Sequence, residues 1–356
     1  MPKDSLTYKA SGVDIESNNE SNERIKKQLK RTRNGRLVME TGLFSGGISL
    51  DDFKSWEKPE LVGSLGYLEA GGTARAGHLS AAAAMVVESC LSSLPPAAEK
   101  IAFLDYVSAS RIEVQEVESL VSGFADVLAG PPPLPLAGGE TAEMPGVFAS
   151  GKWEVVGALY GVSRGGGTAL PETGREKQGS PEVKGADISR LKGLKSPVLM
   201  LSMDGVGTKA RLGAACRRTG GLAADIVNHS LNDLLCQGGR GSAMMVYLGC
   251  HTPDQELIED FREGLAQVLA GEDLKLIDFK IAANRDLYLP GEYDICASIA
   301  GLAERQSLVT GAGIKEGDLL IGLASDGLHT NGYSLAAAAL LERGKLKLNQ
   351  FIPELD

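Results

Sequence analysis

Met203-Asp204-Gly205-Val206-Gly207-Thr208-Lys209 follows directly on the apolar run 197–201. A strand that ends in a carboxylate and two glycines suits a metal–nucleotide site. The glycines let backbone N–H groups approach phosphate oxygens, Asp204 can hold Mg²⁺, and Lys209 supplies positive charge. The GxxxxGK[ST] spacing of a Walker loop is absent, and a tight turn with an incidental aspartate is the competing reading. Next along the chain, Asn228 and Asn232 stand four residues apart, one helix face, with Asp233 adjacent. Mg²⁺ often needs only one or two carboxylates when phosphates complete its shell, so Asp204 with Asp233 meets that demand. Polar helix capping is the alternative, and His229 reads as a surface or helix-terminal contact.

Three further segments carry polar chemistry. Gly138-Gly139-Glu140-Thr141-Ala142-Glu143-Met144-Pro145-Gly146 sets two glycines before one carboxylate and a second three residues on. Phe103-Leu104-Asp105-Tyr106 ends a strand-like run with an acid. Ser325-Asp326-Gly327-Leu328-His329-Thr330-Asn331-Gly332 is a polar loop after an apolar strand expected at 319–324, and His329 suits proton transfer or a phosphate contact. A Gly-rich turn and a capping loop are the plainer accounts.

These groups need a scaffold, and the chain supplies one twice. Residues 61–77 resemble 198–213, residues 123–130 resemble 264–271, and residues 153–164 resemble 292–305, all in one order. An internal duplication follows, each copy reading strand, Ala-rich helix, strand, charged helix, strand, loop, strand. The expected domains are an arm over 1–58 with a short basic helix near 21–36 and a Gly-rich turn at 42–47, a first copy over 59–163, a linker over 164–195, a second copy over 196–310 and a further piece over 311–356.

Composition narrows the function. With 36 Lys+Arg against 46 Asp+Glu, net charge −10, the chain lacks the basic excess of a nucleic-acid binder. No apolar run approaches the ~20 residues that cross a bilayer, and the polar N-terminus does not read as a signal peptide. Five scattered cysteines without a CxxC pair suggest reduced thiols in a cytoplasmic protein.

Together SLTYKASGVDI, DGVGTK, HSLNDLLCQGG, FLDY, GGETAEMPG and ASDGLHTNGYS resemble aminoimidazole ribonucleotide synthetase, the phosphoribosylformylglycinamidine cyclo-ligase family. The resemblance implies ATP-dependent closure of formylglycinamidine ribonucleotide to aminoimidazole ribonucleotide, with Mg²⁺ and K⁺. It implies that Asp204 and Asp233 hold metal, that Gly205, Val206, Gly207, Thr208, Asn232, Gly138, Gly139, Glu140 and Thr141 line the nucleotide, and that Lys209, His329 and Asn331 serve catalysis. It also implies an α+β fold, here two tandem synthetase-type N-terminal domains forming an intramolecular pseudo-dimeric β-barrel flanked by helices, plus the start of a C-terminal domain. The motifs are divided: the first copy keeps FLDY and GGETAEMPG, the second DGVGTK and the Asn-Asp pair. That division implies one competent site, with Glu140 approaching Asp204 and Asp233 from the other copy. A further homodimer, or a partner that supplies the rest of the C-terminal domain, completes the expectation. The alternatives are a nucleotide-binding regulatory homologue and another ATP-dependent enzyme of the superfamily.

Overall fold

The computed structural model describes Thr7 and residues 25–39, 45–68, 76–165 and 185–353. The expected start of the basic helix, much of the 42–47 turn, most of the linker and the SLTYKASGVDI motif lie outside the described residues. In chain order the elements are β1 (Leu37–Met39), β2 (Gly46–Ser49), β3 (Glu60–Tyr67), α1 (Ala76–Ser93), β4 (Glu99–Ala109), α2 (Val114–Leu128), β5 (Leu136–Glu143), β6 (Trp153–Ser163) and β7 (Ala186–Asp187). They continue as β8 (Pro197–Gly205), α3 (Lys209–Ala215), α4 (Thr219–Cys236), β9 (Arg240–Cys250), α5 (Gln255–Gly271), β10 (Lys275–Ala283), β11 (Tyr293–Glu304) and α6 (Tyr333–Ala337).

The strands form two mixed sheets, one ordered β5-β4-β6-β3-β7 and the other β1-β2-β8-β11-β9-β10. Within each, the same succession recurs: β4 pairs parallel with β5 and antiparallel with β6, as β9 does with β10 and β11. β6 and β11 lie in the middle of their sheets and are buried along nearly their whole length, because helices cover one face and the opposing sheet covers the other. One core lies between the sheets and joins Leu61, Leu65, Leu104 and Tyr160 to Leu199, Leu201, Met245 and Ile277. Two outer cores lie beneath the helix pairs α1/α2 and α4/α5.

The helices follow their sequences closely. In α5 the buried residues Leu257, Ile258, Phe261, Leu265 and Leu269 recur at helical spacing. Its cap, Asp254, accepts from Glu256 N at 3.0 Å and Leu257 N at 3.4 Å, satisfying first-turn donors. In the arm, residues 25–29 are helical, and Ile25 and Leu29 pack against the outer core of the first sheet. Arg36 pairs with Asp52 at 2.9 Å, so part of the arm's charge is spent on the surface of its own fold.

Two expectations are corrected. The sheets do not close into a barrel: no ladder joins β5 to β8 or β10 to β3, although those strands lie against each other. At one seam a side chain takes the ladder's place, since Leu65 N donates to Asp278 Oδ2 at 2.7 Å. The second correction concerns 319–324, which forms no strand. Leu319, Leu320, Ile321 and Leu323 are between 88% and 102% exposed. An extended apolar run becomes a buried strand only with a ladder partner and a face to cover it, and neither occurs among the described residues.

Candidate active site at the seam of the two sheets

β8 carries Asp204 to its C-terminal end, where Asp204 Oδ1 accepts Gly205 N at 2.6 Å. The turn that follows needs its glycines for separate reasons. Gly207 has φ +66°, and a Cβ at Gly205 would stand 2.6 Å from Tyr106 Oη. Val206 N donates to Ile295 O at 2.9 Å, which ties the turn to the start of β11. Thr208 and Lys209 then open α3.

α4 presents His229 and Asp233 to Asp204. His229 Nε2 lies 2.7 Å from Asp204 Oδ2, and Asp233 Oδ2 accepts Ser202 Oγ at 2.9 Å. The bond to Asp204 favours the imidazolium form of His229, while burial pushes the Asp233 carboxyl up. One ligand atom from each of Asp204, His229 and Asp233 falls within 4.8 Å of the others.

The fourth group comes from the other sheet. Glu140, on β5, is pushed up to about 8 by burial, by Asp204 and by Asp233, while Thr141 N at 2.8 Å and His229 counter the shift. Three carboxylates therefore share one seam with a single imidazole to balance them. Oxygen donors with surplus negative charge are what Mg²⁺ requires, so Asp204 and Asp233 could hold that ion.

Lys209 Nζ lies 2.6 Å from Asp225 Oδ2, donates to His329 O at 2.7 Å and stands 5.0 Å from the Tyr333 ring centroid. Thr208 Oγ1 meets Ser334 Oγ at 2.8 Å, and Thr330 Oγ1 bonds His229 Nδ1. The 325–334 loop thus rests on the turn. His329 contributes its carbonyl there, and its imidazole faces Ser325 Oγ at 3.0 Å. Asn331 is exposed. Gly138 and Gly139 run along β5 beside β4; a Cβ at Gly139 would stand 2.5 Å from Asp105 Oδ1. Glu143 turns away and accepts Ile112 N at 3.0 Å.

Two pairs on α4 share the four-residue helical spacing. Asn228 and Asn232 are exposed, whereas His229 and Asp233, also four apart, face Asp204. Tyr106, Asp225 and Thr330 also escaped sequence reasoning. Only Tyr106 carried a signal, as the last residue of FLDY.

Residues 191–303, which span β8, α4 and β11, match the family model described as AIR synthase related protein, N-terminal domain. Over this segment the chain is similar to the AIR synthase family. It is 40% identical over 161 residues to phosphoribosylformylglycinamidine cyclo-ligase of Symbiobacterium thermophilum, covering 45% of this chain and 46% of that one. It is 35% identical over 196 residues to the protein of that name from Geobacillus thermodenitrificans, covering 53% and 56%. The chain thus spans about half the length of the curated relatives it matches. Among solved structures, PurLQS from Thermotoga maritima matches with TM-score 0.49 and 12% identity over 80% of this chain and 78% of that one. Among the described residues no helix is long and apolar enough to cross a membrane.

Proposed function

We propose that the chain takes part in ATP-dependent ring closure of formylglycinamidine ribonucleotide to aminoimidazole ribonucleotide. The observation that carries this reading is the meeting of Glu140, from the first sheet, with Asp204 and Asp233, from the second. The Symbiobacterium and Geobacillus relatives both bear the cyclo-ligase name, which supports the reading. In the reaction the formamide oxygen attacks the γ-phosphorus and ADP leaves. The amidine nitrogen then attacks the activated carbon, the ring closes and inorganic phosphate departs. Mg²⁺ held by Asp204 and Asp233 would neutralise phosphate charge. The chain's own part is positioning and charge balance. Gly205 N and Val206 N are held by Asp204 and Ile295, so the N–H groups of Gly207 and Thr208 would meet the oxygens. Lys209 brings an ammonium already oriented by Asp225, and Glu140 closes the far side of the seam.

We read residues 59–163 and 196–310 as two copies of one domain joined as an internal pseudo-dimer, which the shared strand succession supports. Only one seam then keeps its acids. Position for position, Gly66 stands where the second copy has Asp204, Cys90 where it has Asp233, and Lys280 where the first copy has Glu140. A Cβ at Gly66 would stand 2.7 Å from Cys90 Sγ, so a thiol fills the space of a carboxylate pair. In that seam burial pushes the Asp278 carboxyl up, and the Lys280 ammonium opposes the shift.

Isothermal titration of the chain with Mg²⁺ and a non-hydrolysable ATP analogue is expected to give one nucleotide per chain and none in Asp204→Ala. Two equal sites would refute the reading. Formation of ADP and aminoimidazole ribonucleotide from purified protein tests the chemistry itself.

A further inference from the structure

Tyr106 meets the proposed ligand site only from beneath, at Gly205. It belongs to β4 of the first sheet and is fully buried. Its ring fills the hollow left by the missing side chain of Gly205 in the second sheet. A Cβ there would lie 2.6 Å from Oη, 2.9 Å from Cε2 and 3.0 Å from Cζ. Its hydroxyl donates to Asp294 Oδ1 at 3.2 Å. Asp294 is the second residue of β11, immediately before Ile295, whose carbonyl holds Val206 N. The ring therefore supports the turn from below, and the hydroxyl anchors the strand end that supports it from the side.

We propose that Tyr106 is a positioning residue for the 204–208 turn, acting through the Gly205 backbone and the Asp294–Ile295 strand end. This rests on the nucleotide reading of that turn. Backbone N–H groups cradle phosphates only when the turn holds one geometry, and glycine has no side chain with which to hold it. The ring supplies the missing contact from another part of the chain.

The test is a cycle of Tyr106→Phe, Gly205→Ala and their combination, read by isothermal titration with Mg²⁺ and the non-hydrolysable ATP analogue, with melting temperature recorded alongside. Tyr106→Phe keeps the ring and frees Asp294, and is expected to weaken binding by about threefold to tenfold. Gly205→Ala collides with the hydroxyl and weakens it by at least about tenfold. Because the phenyl ring lacks the closest of the three clashing atoms, the double variant binds more tightly than Gly205→Ala alone. A purely structural tyrosine gives additive losses instead. Asp294→Asn, which keeps an acceptor for the hydroxyl, is expected within about twofold of wild type, and Asp294→Ala is expected to match Tyr106→Phe. Additive losses in the cycle, or wild-type affinity in Tyr106→Phe, overturn the inference. Failure of the wild-type chain to bind the analogue overturns the nucleotide reading instead.

Discussion

Two buried carboxylates near the middle of the molecule are treated unequally, and the difference can be repaired. Glu154 receives two phenol donors: Tyr247 Oη at 2.6 Å and Tyr288 Oη. Asp294 receives one phenol, Tyr106, with the Ser108 hydroxyl and Ile295 N–H also beside it, while its Oδ2 makes no hydrogen bond of good geometry. The place that Tyr288 takes on one side of the Phe148–Tyr288 bridge is held by phenylalanine on the other. Ser108 corresponds to Gly249, where a Cβ would run into Tyr288 Oη. A tyrosine at 148 would thus aim its hydroxyl at Asp294 but collide with the Ser108 side chain. Phe148→Tyr alone is expected to cost about 1–3 kcal/mol through overpacking. Ser108→Gly alone is expected to cost about 1–2 kcal/mol, from chain entropy in a strand and from the hydroxyl it withdraws from Asp294. Together they reproduce the arrangement around Glu154, and satisfying the orphaned oxygen is worth about 1–3 kcal/mol. Urea unfolding of all four proteins gives the coupling energy, expected to be favourable by about 2 kcal/mol or more with the slope m unchanged. Additive single effects, or a double variant no more stable than Phe148→Tyr, would refute this reasoning.

Other outcomes are open to simpler measurement. Burial pushes Glu154 up to about 8, Asp105 up to about 7 and Asp294 up to about 6, so the folded chain holds these protons to higher pH than the unfolded one. Their contribution to stability is full below the ordinary carboxylate range and fades as pH rises through those values. Melting temperature should therefore fall from about pH 5 to about pH 8.5, and Glu154→Gln should flatten that slope. Lys209→Met removes an ammonium held by Asp225 and is expected to weaken binding of the ATP analogue by about tenfold or more, read by titration, with little change in melting. Ile321→Asp, at a position 88% exposed, should shift unfolding free energy by less than about 0.5 kcal/mol. A large loss of stability there would mean that the run is covered after all.

Local pattern made much of this fold legible. The buried stripe of α5 and its Asp254 cap, the apolar strands β6 and β11, and the acid-glycine end of β8 all follow from neighbours in the chain. The helix carrying Asp233 was legible too, but its rotation was not. Four-residue spacing fits Asn228/Asn232 and His229/Asp233 equally, and only packing against β8 decides between them. The open seams were hidden because the bond from Leu65 to Asp278 joins groups 213 residues apart. The phenol–carboxylate pairs were hidden for the same reason, Tyr106 and Asp294 lying 188 residues apart. At 319–324 composition favoured a strand, and composition carries no knowledge of whether a partner stands alongside.

The crossed pairing of Tyr106 with Asp294 and of Tyr247 with Glu154 bears on how the chain comes apart. Each half lends a phenol to an acid of the other, so severing the polypeptide between residues 165 and 185 would leave both pieces with a naked acid in an apolar surface. Neither piece then has reason to fold by itself. Melting should be a single concerted event, and separately produced halves should recover structure only on mixing.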